Sequence, residues 1–110
     1  MTEHPDLQAV RDAVALVTHL EIDNTLVELG MVKPEDIAIE YDKDKEKEVV
    51  VLTLRLPVMS IPVEVRDYLI QHLYIAVTSV GYGLNVHITE MNEAQRQHFF
   101  ALAQQNWKGE

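Results

Sequence analysis

Five histidines, two serines and one proline-flanked methionine are the side chains with which this 110-residue chain could do chemistry. His4, His19, His72, His87 and His98 include no pair at HExxH or similar metal-ligand spacing. His72 is expected on the flank of a helix and His87 on the outward face of a strand, both as plain polar residues. His19 and Glu21 form the pair of interest, because both precede a turn that ends in Gly30. Two side chains cannot close a metal site, so no metal is assigned to them, and direct metal binding or catalysis through His19 and Glu21 stays a third reading beside the binding ones. Met59 lies between Pro57 and Pro62, just before an expected helix N-terminus, where free N–H groups and positive potential gather. A cysteine there would be activated as a thiolate. A methionine cannot be, and it reads as apolar packing or as a soft thioether contact with a partner or metal. Ser60 and Ser79 have structural explanations as a cap and a helix-end residue.

No other catalytic pattern is present. The glycines, Gly30, Gly81, Gly83 and Gly109, form neither a GxxxxGK[ST] nor a GxGxxG loop. Gly81 and Gly83 follow a helix and precede a strand, the wrong order for a dinucleotide fingerprint. There is no GxSxG elbow. Cysteine is absent, which removes disulfides, a thiol nucleophile and any zinc or iron–sulfur site built from this chain's own thiolates. No catalytic residue is assigned, and the expectation is a binding or adaptor module, not an enzyme.

Composition narrows the partners. Eighteen acids against nine bases give a net charge of −9, which repels a phosphate backbone and argues against nucleic acid. Solubility is the plain reading of that charge, and a basic partner the sharper one. No run of about 18 apolar residues is present, so no membrane span is expected. The opening segment lacks the basic and apolar regions of a secretory signal, so the expected location is cytoplasmic. Apolar residues make up 47%, enough for one sizeable core, and residues 1–110 read as a single domain.

The elements that must carry these side chains follow from periodicity. Leu7, Val10, Val14 and Val17 share one helical face, predicting a helix from Asp6 to His19 with Thr2 or His4 as its cap. Asp23 is the expected N-cap of a single turn closed by Gly30. Alternation predicts one strand from Asp36 to Tyr41 and a second from Val49 to Leu56, joined as an antiparallel hairpin across the charge run 42–48. Ser60 and Pro62 open a helix reaching Val80, with Val65, Leu69, Leu73, Ala76 and Val80 as its buried stripe. Gly81-Tyr82-Gly83 stops it. A third strand, Leu84 to Thr89, turns Leu84, Val86 and Ile88 inward. Asn92, with Gln95 in the capping-box position, begins a last helix carrying Phe99, Leu102, Ala103 and Trp107. That helix either packs on the sheet or offers aromatic anchors to a partner. The order α-β-β-α-β-α is a two-layer α/β sandwich: a small mixed three-stranded sheet with helices mainly on one face. Exposed strand edges place a homodimer among the expected assemblies.

The stretch Leu26-Val27-Glu28-Leu29-Gly30-Met31-Val32 carries a resemblance. A hairpin follows it, then a strand ending at Pro57, a helix opened by Pro62, Gly81, another strand, and Met91 with Gln95-Arg96. Over residues 7–96 this resembles the metal–sulfur cluster biosynthesis domain. That domain occurs in SufT-type proteins, in the phenylacetate-pathway protein PaaD, in eukaryotic cytosolic iron–sulfur targeting factors, and at the N-terminus of Mrp/ApbC-type P-loop ATPases. The resemblance implies the same two-layer fold and a role in assembling iron–sulfur clusters or delivering them. The cluster would be reached through a protein partner, such as an Mrp-type ATPase or an iron–sulfur acceptor protein, with no cofactor bound by this chain alone. The alternative it implies is an accessory subunit of an enzyme complex, in the manner of PaaD. Residues 92–110 then form a C-terminal helical extension, where Mrp-type proteins lead toward their ATPase domain.

The sequence also departs from the family. The usual Asp-Pro-Glu-Leu run reads His19-Leu20-Glu21-Ile22 here, keeping only Glu21. The proline-rich loop reads Pro57-Val58-Met59-Ser60-Ile61-Pro62, with no thiol where relatives often place one. The candidate functional surface is therefore His19, Glu21, Glu28, Met59 and Ser60, and it must act through contacts with a partner.

Overall fold

Four apolar side chains at every second position of one strand organise the molecule. Val50, Leu52, Leu54 and Leu56 are each at most 1% exposed, while Val51, Thr53 and Arg55 between them are half-buried. Burying each of those four is worth about 1.5–3 kcal/mol, so the strand's register is strongly specified by its core face. A computed structural model describes residues 4–108. In it this strand, β2 (Lys47–Leu56), is the centre of a three-stranded sheet of order β1-β2-β3. β1 (Ala38–Asp42) pairs with β2 antiparallel, with Ile39 opposite Val50. β3 (Gly83–Glu90) pairs with it parallel, with Val86 opposite Leu52 and Ile88 opposite Leu54. The protein is mixed α/β, as the alternating pattern predicts.

Three α-helices among the described residues flank the sheet: α1 (Leu7–Ala15), α2 (Val63–Thr78) and α3 (Glu93–Asn106). Val10 and Val14 from α1, Leu69, Leu73 and Val77 from α2, and Phe99 from α3 join the β2 residues in one core. Val65, Ala76 and Val80, expected in the buried stripe of α2, are only partly buried, and Val77 takes the central place. Ile88 is 37% exposed despite its inward register, because β3 is an edge strand with a neighbour on one side only. None of the helices among the described residues is long and apolar enough to cross a membrane.

Several boundaries differ from the periodicity reading. α1 stops at Ala15, four residues early. Val17 is still buried, so the apolar spacing continues, but the backbone does not. Leu26 N–H donates to Val17 O and His19 N–H to Asn24 O, so residues 17–19 fold back on 24–26 as a small antiparallel ladder. Thr2 lies outside the described residues. His4 is not the cap: Asp6 occupies the N-cap position without a side-chain cap bond, and His4 Nδ1 accepts the Asp6 N–H at 3.1 Å just ahead of the helix. β1 starts at Ala38, because Pro34–Asp36 close a short 3-10 turn first. Ser60 does not cap α2. Pro62 occupies the N-cap position without a side-chain bond, and its carbonyl accepts from Val65 and Arg66.

The connecting turn is capped by Thr25, not Asp23. Thr25 Oγ1 accepts the Glu28 N–H at 3.1 Å, and Glu28 Oε1 accepts the Thr25 N–H at 2.9 Å. This reciprocal pair is a capping box on a single turn. Gly30 closes it at φ +78°, a conformation that costs other L-residues energy. Only residues 43–46 of the charge run form the hairpin tip, because Asp42 pairs with Lys47 and Tyr41 with Glu48 in the ladder, and Asp42 Oδ1 accepts N–H bonds from Asp44 and Lys45. At the other end Tyr82 donates to Asp6 Oδ2 at 2.5 Å and stacks edgewise on His4, tying the α2–β3 turn to the start of α1.

Candidate functional site

α3 begins with a complete capping box. Asn92 Oδ1 accepts the Gln95 N–H at 2.8 Å and Gln95 Oε1 accepts the Asn92 N–H at 2.9 Å, as its sequence predicts. The helix is fastened at both ends to irregular chain. Arg96 Nη1 donates to Pro57 O at 3.2 Å and to Met91 O at 3.1 Å, and Nη2 pairs with Glu93 at 3.0 Å. At the far end Asp23 N–H donates to Asn106 O at 2.7 Å and Lys108 N–H to Glu21 O at 2.9 Å. Asn106 Nδ2 donates to Asn24 Oδ1, and His98 Nε2 bonds the Glu28 carbonyl. Trp107 is extended, bridged to Ile22, and not part of the helix. The segment packs on the core through Phe99, which is buried, while Phe100 and Trp107 stay half-exposed.

Between α3, the 57–62 loop, the start of α2 and the 19–22 segment lies a cleft of about 210 Å³. Its lining is mostly apolar, including Pro57, Ile61, Val65, Phe99 and Trp107, with His19 and Glu21 among it. His19 is 4% exposed and is the single buried polar residue among those described. Its Nδ1 accepts the Glu21 N–H at 2.9 Å, and its ring meets Phe99 edgewise at 6.1 Å. Its Nε2 makes no hydrogen bond among the described residues. Arg55 Nη1 is the one fully buried side-chain nitrogen or oxygen among them without a partner, so His19 Nε2 keeps some accessible surface, and His19 belongs to the lining of the cleft.

The electrostatics follow from that bond. Burial lowers the His19 pKa below its ordinary value, and the charge of Lys108 lowers it further. The imidazole is neutral at neutral pH. With Nδ1 accepting, the proton sits on Nε2, which makes the ring a hydrogen-bond donor to the cleft and not a metal ligand at that nitrogen. The side chain of Glu21 makes no hydrogen bond or ion pair among the described residues. No group of three or more His, Cys, Asp or Glu among the described residues could hold a metal ion. With no cysteine in the sequence, the chain supplies no thiolate ligand of the kind that holds iron–sulfur clusters.

The five residues singled out by sequence part company in space. His19 and Glu21 line the cleft. Met59 and Ser60 belong to its loop but point outward, Met59 being 56% exposed, while their neighbours Pro57, Val58, Ile61 and Pro62 form the wall. Glu28 is not in the cleft. It caps the connecting turn, and the Thr25 N–H and Asn24 amide on its carboxylate hold its pKa below the usual value. Arg96, which clamps loop to helix, is legible in the sequence only as part of the motif Gln95-Arg96. Phe99, Phe100 and Trp107, which form a wall, are legible there as an aromatic segment without a place.

The chain matches no protein-family model and no curated protein sequence.

Proposed function

We propose that this protein is an adaptor in iron–sulfur cluster assembly or delivery. It acts by protein–protein contact and does no bond chemistry of its own. The observation that carries the adaptor reading is the cleft: an apolar hollow with exposed aromatic rims and a histidine in its lining, with neither a nucleophile–base pair nor a ligand set among its lining residues. Phe100 and Trp107, 49% and 52% exposed, flank it as interface anchors do. The iron–sulfur assignment is supported by the LVELGMV resemblance, by the α-β-β-α-β-α order, and by the position of the cleft at the proline-rich loop where relatives often carry a cysteine. The partner, an Mrp-type ATPase or an acceptor protein, would bring the cluster as cargo.

The test is capture from the native host with the full chain as bait, followed by identification of bound proteins and by iron and sulfide analysis of the complex. Recovery of an iron–sulfur assembly component or client is the expected result. Recovery of neither, across several growth conditions, would count decisively against it. Stable recovery of an oxygenase-type complex would move the assignment to an accessory subunit.

A further inference from the structure

Two residues of the cleft lining, His19 and Glu21, carry side-chain groups with no partner among the described residues, and their chemistry describes what fits. His19 Nε2–H is a neutral donor in apolar surroundings, so it suits a carbonyl oxygen better than an anion. The Glu21 carboxylate is an unpaired anion on a chain of net charge −9, so it suits a cation. Lys108, whose amide is bonded to the Glu21 carbonyl, forms no ion pair with that carboxylate. At about 210 Å³ the hollow is smaller than the roughly 300–1,000 Å³ of small-molecule and cofactor sites. It is suited to one or two inserted side chains.

We propose that the cleft takes an apolar, basic segment of a partner protein. A large apolar side chain inserts between Ile61, Val65 and Phe99. A backbone carbonyl of the segment accepts the His19 Nε2–H, and a neighbouring Lys or Arg meets Glu21. The inference rests on the adaptor reading and names the chemistry of its partner.

A random dodecapeptide phage library panned against the full chain tests this. The expected enrichment pairs a large apolar residue with Lys or Arg within a few positions. A synthetic peptide of the enriched sequence should shift the Glu21 amide and the Trp107 indole signals in NMR spectra. Glu21→Lys, on a partly exposed side chain, should weaken that peptide about tenfold or more, as charge reversal at an interface does. His19→Phe should weaken it too, with the amide spectrum as the check on folding. Because His19 is buried, Glu21→Lys and Glu21→Gln decide the matter if His19→Phe unfolds. Enrichment without a basic bias, equal affinity for Glu21→Lys, or shifts confined to another face would overturn the inference. If native capture still recovers iron–sulfur components in that event, the adaptor reading stands and only the cleft's partner chemistry falls.

Discussion

The 2.9 Å bond from the Glu21 amide to His19 Nδ1 decides what the cleft can do. It assigns the ring proton to Nε2 and turns a residue that could ligate a metal into a neutral donor facing apolar space. A proton added at Nδ1 would set donor against donor and break the bond. Geometry therefore acts in the same direction as burial and Lys108, which lower the pKa.

The first prediction concerns pH. A histidine with a lowered folded pKa is favourable to folding while neutral. Its contribution is complete above about 6.5, the ordinary value, and is lost as pH falls through the lower folded pKa. Stability should thus drop on acidification below pH ~6.5, and His19→Phe should flatten that dependence. NMR titration of the His19 ring gives the direct check: a pKa at or above the ordinary value would refute the buried neutral form.

Asn92→Ala removes the side-chain acceptor that starts α3. The loss should be about 1 kcal/mol of stability, measured by denaturant unfolding. Because α3 forms one wall of the cleft, amide exchange should rise over residues 93–97 more than in β2. Uniform exchange in both elements would show that the cap does not act locally.

Gly30 is held at φ +78°, and a Cβ there would meet only His98 Cδ2 at 3.9 Å. Space is adequate, so backbone conformation sets the effect. Gly30→Ala should cost about 1–2 kcal/mol, and Gly30→Asn less, since Asn tolerates this region better. Equal losses for the two variants would point to packing instead.

Tyr82 donates to Asp6 Oδ2, and that bond, with burial, pushes its pKa up to about 12. A raised folded pKa means the bond's contribution is complete below about 10 and is lost as pH rises through about 12. A phenolate absorbance titration of the wild type against Tyr82→Phe should show the missing tyrosine as the high-pKa one. A difference curve centred at the ordinary tyrosine value would mean that this bond does not hold the N-terminal segment in solution.

How far the sequence reaches is visible element by element. The alternation from Val50 to Leu56, the 3–4 spacing around Leu69 and Leu73, and the Asn92–Gln95 cap are local patterns. Periodicity and capping are properties of neighbouring residues, so these determined the three helices, the hairpin and the α/β class. The end of α1 was not local. Val17 keeps helical spacing, but its carbonyl is taken by Leu26 across a turn, which no window along the chain reports. Thr25 replaced Asp23 as the cap because the turn's start depends on that same ladder.

His19 shows the division most plainly. Sequence alone marked His19 and Glu21 as a pair two residues apart, and excluded a thiol from the 57–62 loop. It could not say that this loop, Phe99 and Trp107 would close around them, since those contacts join positions far apart along the chain. Only the tertiary structure brought Arg96 to Pro57 and Lys108 to Glu21 and buried the imidazole, whose tautomer follows from the bond to Glu21 two residues on. Long-range packing makes those choices because burial and hydrogen-bond direction depend on what surrounds a side chain, not on what precedes it.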